Sequence, residues 1–413
     1  MDLFEKALKV KRASEKLRNL SARKKNEALM SIRESLERNK FKILEANDKD
    51  VKRARESGIK ESLIDRLRLN EKRIDGMLKM IDTVVNLKDP VGEVIDSWVR
   101  EDGLRISRVR VPIGAIGIIY ESRPNVTLDA TVLALKSGNS VLLRGGSDAF
   151  NSNMEIVRAI KDGLKDSDIP ENSVEYVEDT SHEIVGEMLK LNGILDLIIP
   201  RGGSSLIKFV VENSTVPVLE TGVGNCHIFV DESANLEKAL DIIDNAKTQR
   251  PGTCNAVETV LIHEKIAEKI LPPLVERLKK KGVEMRGCEK TREYVDVHPA
   301  TEKDWETEYL DLILAMKVVK DVDEAINHIK RYSTGHSEAI LTENYTNARK
   351  FISSIDSSAV YVNASTRLTD GGEFGFGGEM GISTQKLHAR GPVGLRELTT
   401  YKFVILGDYH TRK

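Results

Sequence analysis

Residues 1 to about 85 carry one apolar stripe in an otherwise charged segment. Leu29, Ile32, Leu36 and Ile43 recur at helical spacing, with Arg, Lys and Glu between them. A helix with one apolar stripe must bury it against another element, so the pattern predicts helices that cover a second layer. Acidic residues are interspersed among the lysines, which favours a solvated face over a nucleic-acid-binding surface.

The pattern changes to a period of two between Trp98 and Val111. Arginine and valine alternate along residues 108–111, and Asp102-Gly103 is a turn signal, so a β-hairpin is predicted here. Residues 112–120 then form an apolar run that is typical of a strand buried on both faces. Another alternating stretch at residues 400–406 predicts a strand near the end of the sequence.

Between these stretches, predicted strands alternate with predicted helices in two series. In the first series the strands are at 141–144, 174–177, 195–199 and 216–220, and the helices at 128–136, 153–164, 183–190 and from 206. In the second series the strands are at 226–230, 257–262, 312–319, 338–341 and 360–363. This alternation predicts an α/β fold with parallel sheets covered by helices, in which ligands bind beyond the carboxyl ends of the strands.

Composition narrows the class of protein. Of 413 residues, 40% are hydrophobic and 31% charged, and 63 Lys and Arg against 65 Asp and Glu give a net charge of −2. We therefore expect a soluble globular protein without a global bias toward nucleic acid or membranes. The amino terminus has no signal-peptide core, and three widely spaced cysteines argue against a disulfide framework or a zinc site. A reducing, cytoplasmic environment is expected.

The segment Thr248–Glu258 contains the strongest candidate for chemistry. Pro251 and Gly252 interrupt a predicted helix, and a predicted strand follows, so Cys254 lies in a loop. The fixed charge of Arg250 nearby favours a thiolate over a thiol. Most free cysteines are small buried apolar residues, but the Pro-Gly-Thr flank packs poorly and favours a nucleophile. The other two cysteines are expected in the core (Cys226) and at a partly exposed position (Cys288).

Two predicted strands end in glycine-rich turns that open helices. These turns are Arg144-Gly145-Gly146-Ser147 and Arg201-Gly202-Gly203-Ser204. Backbone N–H groups at helix starts bind anions, and each turn has an arginine beside it. A single turn of this kind is more often a tight turn with a surface arginine, since neither matches G-x-G-x-x-G. Two of them in one series favour a phosphate-bearing ligand.

The order of these motifs resembles the aldehyde dehydrogenase superfamily and, within it, the γ-glutamyl phosphate reductase family. The matching stretches are Arg-Pro-Asn at 123–125, then 141–147, 219–222 and 251–256, and most specifically 372–394. The resemblance covers essentially the whole chain. It implies an aldehyde dehydrogenase-like α/β fold, with two parallel-sheet Rossmann-like domains and a small β oligomerisation module.

The resemblance also implies site residues. Cys254 would be the nucleophile, and Asn125 would supply a side-chain amide to the oxyanion hole, working with the backbone N–H of Cys254. Glu220 falls at the position of the superfamily's general base, and Glu308 falls near the carboxylate that contacts the nicotinamide ribose. The glycines after Glu220 are shifted and Thr221 replaces an apolar residue, so a role for Glu220 as base stays open.

The implied cofactor is NADPH. The superfamily usually has Lys-Pro-Ser/Ala-Glu where this chain has Arg144, Gly145, Gly146 and Ser147. A glutamate there would repel a 2′-phosphate, whereas Ser147 with Arg144 nearby would accept one. Gly203 and Ser204 are expected to contribute to cofactor binding at the second turn.

The implied reaction is the NADPH-dependent reduction of L-glutamyl 5-phosphate to L-glutamate 5-semialdehyde, through a thioester on Cys254 and with release of phosphate, in proline biosynthesis. Two alternatives stay open. A general aldehyde dehydrogenase would need no inorganic phosphate in the oxidative direction. A catalytically idle binding or scaffold relative would not need the pair of Cys254 and Asn125. The implied partners are further copies of the chain and, as a candidate for handing over the labile acyl phosphate, glutamate 5-kinase.

We therefore predict three parts. The NADPH-binding domain comprises residues 1–96 and 111–225, including the amino-terminal helices. The catalytic domain, with the nucleophilic cysteine, comprises residues 226–385. Residues 97–110 and 395–413 are alternating strands without a partner in either series, so we expect them to form one module that joins subunits.

Overall fold

The computed structural model describes residues 2–59 and 61–412, apart from the side chains of residues 62 and 63. The chain divides into two compact units. Unit 1 comprises Met1–Thr221, Gly375–Gly381 and Val393–Lys413, and unit 2 comprises Gly222–Phe374 and Ile382–Pro392. The predicted boundary between the NADPH-binding and catalytic domains is at 225/226, and the two units of the structure divide at 221/222.

Between residues 115 and 362 helices and strands alternate, as predicted. The helices are α1 Leu3–Leu17, α2 Ala22–Arg38, α3 Lys40–Glu56, α4 Glu61–Leu67, α5 Glu71–Asn86, α6 Pro124–Lys136, α7 Phe150–Leu164, α8 His182–Met188, α9 Ser204–Asn213, α10 Leu236–Thr248, α11 Glu264–Lys279, α12 Glu289–Tyr294, α13 Glu302–Glu306, α14 Val322–Tyr332 and α15 Tyr345–Ser354. The strands are β1 Val94–Val99, β2 Arg105–Pro112, β3 Ala115–Tyr120, β4 Ser140–Gly145, β5 Val174–Tyr176, β6 Leu197–Arg201, β7 Cys226–Val230, β8 Val257–His263, β9 Glu284–Gly287, β10 His298–Pro299, β11 Ile313–Val319, β12 Ser337–Leu341, β13 Ala359–Val362, β14 Ile382–Ser383, β15 Gly391–Pro392 and β16 Thr399–Leu406.

The amino-terminal helices of unit 1 bury the stripe that the sequence shows. Leu29, Ile32 and Ile43 are fully buried, and α2 and α3 pack against α7. Asn70 caps α5, because its side chain accepts a hydrogen bond from the backbone N–H of Arg73 at 2.9 Å. None of the helices in the described chain is both long and apolar enough to cross a membrane.

The parallel sheet of unit 1 has the strand order β5-β4-β3-β6. β3 is first in the chain among these strands, and its neighbours are the second and the fourth. The strand order therefore reverses between β3 and β6, which is the position where open α/β sheets bind ligands beyond their carboxyl ends. The segments that start at Glu121 and Gly202 follow these two strands.

The parallel sheet of unit 2 has the order β10-β9-β11-β8-β7-β12-β13. Its central strands β7, β8 and β12 are buried along their whole length. Apolar residues of α10 and α11, such as Ile243 and Leu274, pack with Val260 and Leu314 of the sheet in one core. A buried parallel sheet explains why these strands are apolar on both faces.

The hairpin and the carboxyl-terminal tail form a separate three-stranded antiparallel sheet in unit 1. Its order is β1-β2-β16, and β16 pairs with β2 from Thr399↔Pro112 to Leu406↔Arg105. The two predicted pieces of the module are thus joined in one sheet. Trp98, Tyr401 and Phe403 are exposed on it, with the rings of Trp98 and Phe403 6.5 Å apart.

Three predicted elements differ from the structure. The strand expected at 216–220 is reduced to a single bridge, Ile198↔Val218, since Pro217 has no N–H to continue a ladder. The strand expected at 112–120 is divided at Gly114, which has a φ of +132°. Helix α6 begins at Pro124 instead of residue 128, which brings Asn125 into its first turn.

Candidate active site

Cys254 lies in the loop between α10 and β8, as the sequence predicts. α10 ends at Thr248 and β8 begins at Val257, so the loop enters the sheet at the amino end of a central strand. This is the opposite edge from the carboxyl ends, where we expected ligands. The side chain of Cys254 is partly exposed, whereas that of Cys226 is fully buried. A partly exposed thiol in a loop between packed elements suits a nucleophile.

Hydrogen bonds on both sides of Cys254 restrain the loop. Nδ2 of Asn255 donates to the carbonyl of Thr369 at 2.9 Å, and Oγ1 of Thr366 donates to the carbonyl of Asn255 at 2.7 Å. On the preceding side, Oγ1 of Thr253 donates to Oδ1 of Asn255 at 2.9 Å. The buried amide of Asn255 therefore ties the loop to the segment after β13.

The backbone of Cys254 lies directly against Gly224. A β-carbon added to Gly224 would stand 1.5 Å from the carbonyl oxygen of Cys254 and 2.7 Å from its Cα, so only glycine fits. The same carbonyl accepts a hydrogen bond from Sγ of Cys226 at 3.1 Å. The segment that leads into β7 thus fixes the position of the backbone that carries the candidate nucleophile.

Two guanidinium groups flank the loop. Arg250 is exposed, and Arg367 is half-buried, donating through Nε to Oε1 of Gln249 at 2.9 Å and through Nη1 to Oδ1 of Asn255. Burial lowers the pKa of Arg367, the charge of Arg250 lowers it further, and a thiolate at Cys254 raises it. Because this attraction is mutual, Arg367 favours the thiolate. Only Arg250 could be predicted from the sequence, since Arg367 is distant in the chain.

A fully buried ion pair connects the two ends of the loop. Nζ of Lys247, in the last turn of α10, lies 2.5 Å from Oε2 of Glu258 in β8. Burial raises the pKa of Glu258 and lowers that of Lys247, and the attraction between them opposes both effects. Removing one partner would leave a buried charge uncompensated, so the pair holds the helix end and the strand start together.

Glu308 lies beside the same segment of unit 2. Its Oε1 accepts a hydrogen bond from the backbone N–H of Gly224 at 2.8 Å, and its side chain is half-buried. The carboxylate is therefore held next to the glycine that contacts Cys254. The resemblance assigned Glu308 a contact with the nicotinamide ribose, and that role stays a prediction.

In unit 1, Asn125 lies in the first turn of α6, directly after Pro124. Ser122 has a φ of +41° and turns the chain into this helix, where a proline is well tolerated. Nδ2 of Asn125 donates to Oδ2 of Asp129, one turn later, at 2.8 Å. A side-chain amide has two N–H groups, so this bond orients the amide and occupies one of them.

Asp129, which accepts this hydrogen bond, is not among the residues predicted from the sequence. Burial raises its pKa to about 6, while the hydrogen bond from Asn125 and the charge of Arg201 lower it. Its signal in the sequence is the spacing of four from Asn125 on a helix, which places both side chains on one face.

Arg144 differs from the expectation. Its side chain is buried, and Nη2 donates to the backbone carbonyls of Thr180 at 2.6 Å and Ser181 at 2.9 Å. The guanidinium therefore joins β4 to the start of α8, and its contact with a cofactor stays a prediction. Gly145 is required by packing, because a β-carbon there would stand 2.2 Å from Nδ2 of Asn153.

Ser147 itself is exposed, and Gly146 before it is buried. The cation next to Ser147 comes from elsewhere in unit 1: Nη2 of Arg53, in α3, donates to the backbone carbonyl of Ser147. No local pattern around Ser147 indicates Arg53, since the two residues are far apart in the chain.

Gly203 and Ser204 form the exposed start of α9. The backbone N–H of Gly203 donates to Oε2 of Glu121 at 2.9 Å. A carboxylate at this helix start agrees with the attraction of helix amino termini for negative charge. In this structure Glu121 occupies that N–H, and the role of the turn after β6 in cofactor binding stays a prediction.

Glu220 is half-buried and belongs to unit 1, as Asn125 does, whereas Cys254 and Glu308 belong to unit 2. Oγ1 of the adjacent Thr221 donates to the carbonyl of Pro200 at 2.6 Å, which explains a polar residue at that buried position. Across residues 2–59 and 61–412, no group of three or more His, Cys, Asp or Glu could hold a metal ion.

A substitution at Gly224 tests the contact with Cys254. Gly224→Ala forces the backbone of Cys254 to move, so we expect kcat to fall by at least ~100-fold, as for a misplaced reacting group. The free energy of unfolding should also fall, by about 1–3 kcal/mol. Gly76, in α5, is the control, because a β-carbon there meets nothing within 4 Å. Gly76→Ala should keep wild-type activity; equal activity of both variants would contradict the contact.

A second prediction concerns the pH dependence of stability. The folded pKa of Asp129, about 6, exceeds its unfolded value, so its contribution to stability is full below pH ~4 and is lost as pH rises through 6. Asp129→Asn should therefore gain about 1–3 kcal/mol over wild type on going from pH 4 to 7.5, measured by denaturant unfolding.

Asp304 should show the opposite pH dependence of stability from Asp129. Its pKa is about 2: burial raises it, but hydrogen bonds from Arg286 and Thr301 lower it more. Asp304→Asn should therefore lose stability relative to wild type as pH rises from about 2 to 4, and should change little relative to wild type between pH 5 and 7.5. A gain at pH 7.5 in both variants, or in neither, would show that the surroundings of Asp129 are not as described.

Proteins of similar sequence identify the family of the chain. The model of the aldehyde dehydrogenase family matches residues 3–313 and 295–404. The chain is 69% identical over 413 residues to γ-glutamyl phosphate reductase of Thermotoga petrophila, with full coverage of both. It is 67% identical over 412 residues to the protein of the same name from Kosmotoga olearia, again with full coverage of both.

Solved structures give the same result. γ-Glutamyl phosphate reductase of Thermotoga maritima superposes with a TM-score of 0.97 at 69% identity and covers 100% of both chains. The Saccharomyces cerevisiae enzyme of that name gives a TM-score of 0.55 at 31% identity, covering 99% of this chain and 98% of the other. Propionaldehyde dehydrogenase of Rhodopseudomonas palustris shares the fold, with a TM-score of 0.72 at 18% identity over 98% of this chain and 96% of the other. The chain therefore belongs to the aldehyde dehydrogenase family and, within it, to the γ-glutamyl phosphate reductases.

Proposed function

We propose that the chain reduces L-glutamyl 5-phosphate to L-glutamate 5-semialdehyde with NADPH and releases phosphate, the second step of proline biosynthesis from glutamate. The observation that carries this proposal is the partly exposed Cys254, held against Gly224 and flanked by Arg250 and Arg367. The full-length identity to proteins named γ-glutamyl phosphate reductase supports the substrate.

The proposed chemistry begins at Cys254. Its thiolate attacks the γ-carbonyl carbon, the carbon–oxygen bond to the phosphoryl group breaks, and phosphate leaves, which gives a thioester. Arg367 and Arg250 lower the cost of the negative charge on the thiolate before this step. The restrained loop keeps the sulfur in position, so little reorganisation is needed on attack.

Asn125 is proposed to donate its amide to the oxyanion that forms on the γ-carbonyl oxygen. One donor of this kind contributes about 3–4 kcal/mol to transition-state stabilisation. Asp129 keeps the amide oriented through the bond to Nδ2. Reduction of the thioester gives a thiohemiacetal on Cys254. When this thiohemiacetal collapses, the carbon–sulfur bond breaks, L-glutamate 5-semialdehyde leaves and the thiolate at Cys254 is restored.

The residues of unit 1 fit a bound NADPH. The switch point of its sheet lies between β3 and β6, the start of α9 already attracts a carboxylate, and Ser147 is exposed beside a guanidinium. Ser147, Gly203 and Ser204 would hold it. When bound, NADPH supplies the hydride that reduces the thioester.

Glu220 is not required as a base in this scheme, because no water attacks in the acyl step. A general aldehyde dehydrogenase, the alternative within enzymes, hydrolyses its thioester and does need water activation. Oxidation of glutamate 5-semialdehyde should therefore depend on inorganic phosphate, and NADPH should be oxidised when γ-glutamyl phosphate is generated in situ. Phosphate-independent oxidation would favour the alternative.

A cysteine series tests the nucleophile. Cys254→Ala and Cys254→Ser should each lower turnover by at least ~1,000-fold while NADPH binding stays unchanged, because the thiol performs chemistry and contributes little to binding. Cys288→Ser is the control and should keep turnover, since Cys288 lies at the start of α12, away from the loop. Steady-state NADPH oxidation and mass spectrometry of the acylated enzyme measure both effects. Substantial turnover in Cys254→Ala would exclude the mechanism.

We also propose that the sheet β1-β2-β16 joins copies of the chain. Both edge strands carry exposed apolar side chains, and exposed apolar edges are normally covered in native proteins. These residues are Val94, Ile95, Trp98, Val99, Tyr401, Phe403, Ile405 and Leu406. Contact with glutamate 5-kinase and a cytoplasmic location stay predictions.

A charged residue introduced into this sheet tests whether the sheet joins copies of the chain. The wild-type chain should be a homo-oligomer, and Phe403→Lys should shift its solution mass toward the monomer, because a buried unpaired charge is costly at an interface. Lys402→Glu changes an exposed charge on the neighbouring residue and is the control. Light scattering after gel filtration gives the mass, and circular dichroism confirms folding. A monomeric wild-type chain would exclude the proposal.

A further inference from the structure

Arg53 is the cation that the structure holds beside Ser147. It lies in the last turn of α3, and Nη2 donates to the backbone carbonyl of Ser147 and to that of Asp148 at 3.4 Å. The contact joins an amino-terminal helix to the turn after β4. Arg144, to which the sequence analysis gave this place, is buried and bonded to carbonyls of another segment.

A network under the turn holds Arg53 in place. Oδ1 of Asp50, one turn earlier on α3, lies 3.1 Å from Nη2 of Arg53. Asp50 is fully buried, and Oδ2 accepts hydrogen bonds from the N–H of Ser152 at 2.8 Å and from its Oγ at 2.7 Å. Asp50 therefore fixes Arg53 relative to the start of α7, and the guanidinium is placed before a ligand arrives.

The position of Arg53 beside Ser147 suits a ligand group with two negative charges, such as a phosphate. The side chain of Arg53 keeps 49% of its surface exposed, and Ser147 is exposed next to it. Asp148 adds a negative charge to the turn, but its Oδ2 accepts a hydrogen bond from Oγ of Ser122. A guanidinium forms charge-assisted, often bidentate hydrogen bonds with a phosphate, and these are stronger than bonds to neutral oxygens.

We propose that Arg53 binds the 2′-phosphate of NADPH and is the main determinant of preference for NADPH over NADH. This inference rests on the proposed function, in which Ser147 lies at the adenosine ribose. It makes the helical cover of unit 1 a part of the cofactor site. It also assigns Arg144 to the fold and not to the selection of the cofactor.

Calorimetric titration of the purified full chain tests this role without relying on activity. Arg53→Met should weaken binding of NADPH and of adenosine 2′,5′-bisphosphate by about 10- to 100-fold, the loss expected for hydrogen bonds to a charged group. Binding of NADH and AMP should change by less than about 2-fold. Arg53→Lys should recover part of the loss, because it keeps the charge without the bidentate geometry.

Lys52→Met is the matched control, because it removes one exposed positive charge from the same helix. It should leave the ratio of NADPH to NADH affinity unchanged. If Arg53→Met weakens both cofactors equally, Arg53 only supports the turn and the inference is overturned. A wild-type preference for NADPH that survives Arg53→Met overturns the role of Arg53 alone. A wild-type chain that binds NADH as tightly as NADPH overturns this inference together with the cofactor of the proposed function.

Discussion

The contact between Gly224 and the backbone of Cys254 is the constraint on which unit 2 depends most. It allows two neighbouring strands, β7 and β8, to begin side by side with no side chain between the segments that lead into them. Glu308 then bonds to the N–H of that glycine, and Cys226 bonds to the carbonyl of Cys254. Because Gly224 has no β-carbon, the backbone of Cys254, the carboxylate of Glu308 and the starts of β7 and β8 can lie close together.

The two parallel sheets present their candidate residues at opposite edges. In unit 1 the relevant segments follow β3, β4 and β6, at the carboxyl ends, where the rule for open α/β sheets places ligands. In unit 2 the segments at Gly224, Cys254 and Glu308 precede β7, β8 and β11, at the amino ends. The buried central strand β8 gives the segment that carries Cys254 a rigid support.

Much of this arrangement could be predicted locally. Apolar and alternating runs predicted most of the strands, and Cys254 could be placed in a loop because Pro251 and Gly252 interrupt a predicted helix and a predicted strand follows. What the sequence could not show are contacts between distant segments, such as Arg367 at the loop of Cys254 and Arg53 at Ser147. Arg144 shows the same limit, because a charged residue beside a glycine-rich turn can equally satisfy buried carbonyls, and only the fold decides between these partners.

The tail strand β16 has a consequence for the order in which the chain folds during synthesis. Unit 2 is complete once residue 392 has been made, whereas unit 1 still lacks Val393–Lys413 at that point. Unit 1, whose first residues are translated before those of unit 2, is therefore completed after unit 2. One edge of β2 stays uncovered until β16 has been translated. Uncovered edges promote pairing with other chains. In a nascent chain this edge of β2 is therefore open to pairing with other chains from the time Pro112 has been made until β16, which begins at Thr399, is added.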